Sequence, residues 1–88
     1  MSTPPVVMYM TDWCPYCARA RALLEAKGVT LTEIDVEVVA GARSEMMARG
    51  GGDSVPQVFI GGKPVGGCDE LQALDLAGRL DPMLKNGA

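Results

Sequence analysis

Three residues, Thr11-Asp12-Trp13, separate the apolar run Val6-Val7-Met8-Tyr9-Met10 from Cys14-Pro15-Tyr16-Cys17, and helix-forming residues follow at once. This junction constrains the chain more than any other stretch. A short, partly β-branched apolar run reads as a buried strand. Cys14 then suits the N-cap position and Pro15 the first helical position, where its missing N–H costs nothing. The helix runs on to Lys27, and Gly28 is the natural stop after it. A buried strand that feeds a helix requires a second strand parallel to the first, reached by a right-handed crossover. Thr30-Leu31-Thr32-Glu33-Ile34-Asp35-Val36, with partial alternation, supplies that strand.

The remaining elements follow from punctuation. Ala40 to Arg49 reads as a second helix, ended by Gly50-Gly51-Gly52. Val58-Phe59-Ile60 is a third strand, and Gly61-Gly62 turns it into a fourth, Lys63-Pro64-Val65. Pro64 confines that fourth strand to a sheet edge. A last helix is expected from Asp69 to Ala77, with Asp69 as N-cap and Gln72 completing a capping box. The order β-α-β-α-β-β-α predicts an α/β fold: a four-stranded mixed sheet with helices on both faces. The 88 residues make one domain, 1–88, without repeats or linkers.

Composition then removes whole classes of chemistry. The chain has no histidine, which eliminates Ser-His-Asp and Cys-His triads and histidine-containing metal sites. Its three cysteines, at 14, 17 and 68, are too few for a four-cysteine zinc centre within one chain, so no metal site is expected. An odd cysteine count at low density is a poor disulfide framework and points to a reducing, cytoplasmic setting. The formal charge is −3 and the basic residues are scattered, so no nucleic-acid surface is expected. Apolar runs of about five residues fall far short of a membrane span. The opening Met-Ser-Thr-Pro-Pro does not read as a signal peptide.

Thiol chemistry remains. Cysteines three apart at a helix start share one face and close a small disulfide. A thiolate at the N-cap is stabilised by backbone N–H groups of Tyr16 and Cys17 and by the helix dipole. Cys14 is therefore expected to be the exposed nucleophile, and Cys17, one turn in, the buried resolving thiol. A structural disulfide is the weaker alternative, because so short a loop removes little chain entropy. Half of a metal site is another, with ligands from a second chain.

Other residues carry paired readings. Pro56 either opens the third strand or, in a cis Val55–Pro56 bond, presents the Val55 backbone to an extended substrate. Gly66-Gly67 permits close backbone approach. Asp69 either caps its own helix or receives a substrate ammonium group. Cys68 reads more readily as a small packed residue than as a reactive thiol. Tyr16 suits a groove wall. Trp13 either covers the thiolate and meets substrate or braces the loop, and Thr11 offers a hydroxyl without charge.

Cys14-Pro15-Tyr16-Cys17, Ser54-Val55-Pro56-Gln57-Val58-Phe59-Ile60 and Gly66-Gly67-Cys68-Asp69-Glu70-Leu71, in this order and spacing, resemble the dithiol glutaredoxins, the bacterial glutaredoxin 3 type in particular. The third cysteine and the segment Leu80-Asp81-Pro82-Met83-Leu84 share in that resemblance, which spans about residues 6–85. It implies a thioredoxin fold and a glutathione site beside the dithiol. By resemblance, Cys14 forms the mixed disulfide with glutathione, and Val55 before cis Pro56 pairs with the cysteinyl backbone. Tyr16 lines the groove, while Gly67, Cys68 and Asp69 hold the γ-glutamyl end and Arg43 faces the glycyl carboxylate. Expected partners are glutathione and glutathionylated or disulfide-bearing proteins, with electrons from NADPH through glutathione reductase, and a monomeric state.

The chain departs from the family pattern in three places. Thr11 stands where a lysine is usual, Trp13 where threonine is usual, and Asp53-Ser54 replaces a pair of threonines. These changes imply weaker electrostatic recognition of glutathione, partly offset by apolar contact at Trp13. Two alternatives stay open at this level. One is a redoxin driven by thioredoxin reductase, which the tryptophan before Cys14 favours. The other is a dimer holding a [2Fe–2S] cluster through Cys14 thiolates and glutathione.

Overall fold

The computed structural model describes residues 3–86. Met1 and Ser2, part of the N-terminal segment read above, and the final Gly87 and Ala88 lie outside the described residues. Four strands, β1 (Val6–Met10), β2 (Leu31–Asp35), β3 (Gln57–Ile60) and β4 (Lys63–Gly66), alternate with helices α1 (Pro15–Ala26), α2 (Ala42–Ala48), α3 (Cys68–Leu76) and α4 (Leu80–Asn86). The sheet order is β2-β1-β3-β4, with β1 parallel to β2 and antiparallel to β3. The most apolar run thus occupies an inner position, and Pro64 lies on the β4 edge as its missing donor requires. Gly61 and Gly62, both at positive φ, make the two-residue turn between β3 and β4.

Alternation along the two central strands sorts their side chains into two cores. Val6 and Met8 of β1 and Val58 and Ile60 of β3 pack with Cys17, Ala20 and Leu24 of α1, with Leu71 of α3 and with Leu80 and Leu84 of α4. On the other face, Tyr9 and Phe59 pack edge to face, centroids 5.5 Å apart, against Val36 and Ala42 and Met46 of α2. The Tyr9 hydroxyl, fully buried, donates to Glu45 Oε1 at 2.6 Å. Helices therefore cover both faces, the thioredoxin fold.

Two expectations need correction. A fourth helix, α4, follows α3 among the described residues, where only three helices were expected. Leu80 and Leu84, one turn apart, bury against the first core, and Pro82 falls in the first turn, where helices tolerate proline. Lys27, at the end of α1, ties this region together through ion pairs with Asp75 (2.6 Å) and Asp81 (2.9 Å). Helix α3 also starts one residue early, with Gly67 rather than Asp69 at its N-cap. Glu70 Oε1 reaches back to accept the Gly67 N–H at 2.7 Å, so the cap uses Glu70 instead of Gln72.

Candidate functional site: a dithiol beside a narrow cleft

Register brings the site together. Met10 pairs with Asp35, Tyr9 with Gln57 and Val58 with Gly66, so the loops after β1, β2 and β4 and the loop before β3 share one end of the sheet. Cys14 occupies the N-cap of α1 in an extended conformation, and its Sγ accepts the Cys17 N–H at 3.1 Å. Its thiol in turn donates to the Val55 carbonyl at 3.9 Å. The N-cap geometry expected from the sequence is present, with Cys17 as the donor.

Both thiols are free. Cys14 is half-buried, whereas Cys17 has no exposed surface. The Cys17 thiol is pushed up to about 12, first by burial and then by its hydrogen bond with Cys14, against a backbone hydrogen bond from Thr11 that pulls the other way. Thr11 thus reaches the dithiol through its main chain. At neutral pH Cys17 is a protonated, sequestered thiol one turn below its partner.

Six of the predicted residues, Tyr16, Val55, Pro56, Gly67, Cys68 and Asp69, meet in a cleft of about 170 Å³. The Val55–Pro56 peptide is cis. A Cβ on Gly67 would lie 2.9 Å from the Pro56 carbonyl oxygen, so only glycine lets the α3 start approach this loop so closely. Ser54, Gln57 and Glu70 complete the walls and were not singled out from sequence as site residues. The Gly67-x-x-Glu70 spacing is the signal that finds Glu70. Arg19 was also missed: its guanidinium lies 5.6 Å from the Tyr16 ring centroid, a cation–π pair at the three-residue spacing of neighbours on one helix face.

Cys68 opens α3 and is 4% exposed. Burial and then the Asp69 carboxylate raise its thiol above the ordinary range, with Arg19 opposing. It is a packed residue whose edge reaches the cleft.

Besides the two thiols, three residues expected to contact glutathione are not among those lining the cleft. Trp13 is 92% exposed on the loop after β1, and Thr11 lies at the base of that loop. Arg43, on α2, donates from Nη1 to the Asp53 carbonyl at 2.8 Å, which commits its guanidinium to the loop ahead of Ser54. A larger cavity of about 580 Å³ opens near Pro4, Val6, Lys27, Thr30, Asp81 and Leu84. It is lined by no cysteine, so the smaller cleft is the candidate site.

A thioredoxin-type sheet with a free dithiol at a helix N-terminus and a cis proline beside it defines a thiol–disulfide redox protein. Comparison with known proteins makes the class specific. The family model for glutaredoxin matches residues 6–65. Glutaredoxin 3 of Escherichia coli (strain K12) is 50% identical over 80 residues, covering 91% of this chain and 96% of that protein. The solution structure of glutaredoxin from Brucella melitensis superimposes with a TM-score of 0.86 at 48% identity, covering 100% of this chain and 96% of that one. The crystal structure of a buckwheat glutaredoxin–glutathione complex superimposes at 0.84, with 32% identity and coverage of 92% and 76%. The chain belongs to the glutaredoxin family and is of its glutaredoxin 3 type. Its activity is that of a thiol–disulfide oxidoreductase.

Proposed function

We propose that the chain reduces protein–glutathione mixed disulfides and protein disulfides with glutathione as the reducing cosubstrate. The observation that supports this most is the Cys14 sulfur at the α1 N-cap, 3.1 Å from the Cys17 N–H and bonded to Val55 at the border of the cleft. That sulfur sits at the start of a helix beside the cleft, where it is placed to attack a disulfide held there.

The glutathione half of a mixed disulfide enters the cleft, with its cysteinyl backbone along Val55 and its γ-glutamyl end at Gly67 and Asp69. Tyr16 forms the wall. The Cys14 thiolate attacks the glutathione sulfur, the substrate disulfide breaks, and the protein thiolate leaves and takes up a proton. A second glutathione thiolate then attacks the Cys14 adduct, giving oxidised glutathione and free Cys14. Glutathione reductase returns that product to glutathione with electrons from NADPH. With a protein disulfide, Cys14 forms the mixed disulfide with substrate and Cys17 displaces the substrate thiol, leaving Cys14–Cys17 for two glutathiones to reduce. Arg43 braces the Asp53 loop, and Thr11 brings no cation, so the glycyl carboxylate is held weakly.

NADPH oxidation coupled through glutathione and glutathione reductase, with a glutathionylated protein as substrate, tests the reading. Turnover that disappears in Cys14→Ser is expected. Turnover only with thioredoxin reductase as the electron source would replace glutathione as the donor.

A further inference from the structure

The cleft accounts for one flank of Cys14. It lies toward β3 and β4, because its walls come from the loop before β3 and the start of α3. The other flank lies toward β2, on the far side of β1 in the sheet. There the loop after β1 carries Trp13, 92% exposed, and the loop after β2 carries Val38 and Val39, 78% and 49% exposed. These large apolar side chains share the end of the sheet that holds the nucleophile. Next to them in the chain stand the acids Asp12 and Glu37, both exposed. Residues 11–14 and 36–41 contain no lysine or arginine.

A tryptophan almost wholly in water gains from being covered, and tryptophan is prominent among residues that dominate binding energy. Carboxylates at the edge of such a patch select cationic neighbours and disfavour anionic ones. We propose that Trp13, Val38 and Val39, edged by Asp12 and Glu37, dock the protein half of the substrate disulfide. The segment they accept carries an apolar side chain next to its cysteine and lysine or arginine beside that. The proposal rests on the mixed-disulfide reading above and names the class of protein substrate. Substrate choice then comes from the β2 flank and glutathione binding from the cleft.

Two glutathionylated peptides of equal length test this, each with leucine next to the cysteine and either lysines or glutamates around it. At low salt the lysine peptide is expected to show about three- to tenfold higher kcat/KM. That preference falls to within about twofold at ~1 M salt, where exposed charges are screened. Glu37→Lys is expected to abolish the preference and to leave turnover of the small mixed disulfide of glutathione and 2-mercaptoethanol unchanged. Trp13 is the sole tryptophan, so its fluorescence reads docking without any reaction. Titrating peptides with serine in place of cysteine should shift its emission with the lysine form and not with the glutamate form. Equal kcat/KM for the two peptides, or a preference that survives Glu37→Lys, overturns the proposal. Absent glutathione turnover with the fluorescence response intact rejects the reaction and supports the docking face. Turnover with no selective fluorescence response rejects the docking face.

Discussion

Reduced protein exposed to iodoacetamide near pH 8 is expected to react at Cys14 and spare Cys17. The contrast follows from the Cys17 environment. Its thiol has no exposed surface and is raised from 9.0 to about 12. At pH ~8 about a tenth of a thiol titrating at 9.0 is ionised, against about one part in ten thousand at about 12. Because the thiolate is the reactive form, ionisation alone slows Cys17 about a thousandfold. Burial slows it further, since the reagent reaches Cys17 only when α1 opens locally. Peptide mapping by mass spectrometry over a time course measures both sites in one sample, and the same reaction in urea gives the unprotected rates. Native labelling of Cys17 within about tenfold of Cys14 would refute both the burial and the assignment of Cys17 as the sequestered partner. Cys68, also buried and raised, should label slowly in the native protein as well.

Three further outcomes follow from the same geometry. Cys17→Ser should retain removal of glutathione from mixed disulfides, which needs Cys14 alone, and lose most reduction of protein disulfides; equal loss of both in coupled assays would contradict the division between the two thiols. Gly67→Ala places a Cβ 2.9 Å from the Pro56 oxygen, so urea denaturation should show a loss of about 1–3 kcal/mol together with reduced kcat/KM. Stability should be steady up to pH 9.0 and then fall as pH rises toward about 12, because the fold holds the Cys17 proton more tightly than the unfolded chain does. Tyr9, raised by burial and by its bond to Glu45, adds a loss of the same sign at alkaline pH, so Cys17→Ser should reduce the alkaline slope in denaturation series without removing it.

The fold was legible wherever local chemistry and long-range packing agree. The apolar β1 run, Gly61-Gly62 and Pro64 each have one comfortable place in a sheet, and each occupies it. Helix α4 was not legible as a helix, because seven residues containing a proline have little helical preference of their own. Tertiary burial of Leu80 and Leu84 holds it. The α3 cap was misassigned because aspartate is a stronger N-cap by side chain than glycine. The close approach of Gly67 to Pro56 and the reach of Glu70 decide the matter instead. At the site, Cys14 as an N-cap follows from spacing, whereas the Arg43 bond to the Asp53 carbonyl joins two loops whose meeting no periodicity encodes. Ser54 and Gln57 enter the cleft only because the chain turns at Pro56.

In the proposed reaction Cys14 carries glutathione during turnover. Cys17→Ser protein, incubated with oxidised glutathione and mapped by mass spectrometry, tests it most directly, since the adduct cannot be resolved by the second thiol. One glutathione is expected, bound at Cys14 and released by added glutathione. Glutathione bound at Cys68 in place of Cys14, or no adduct at either thiol, would contradict it.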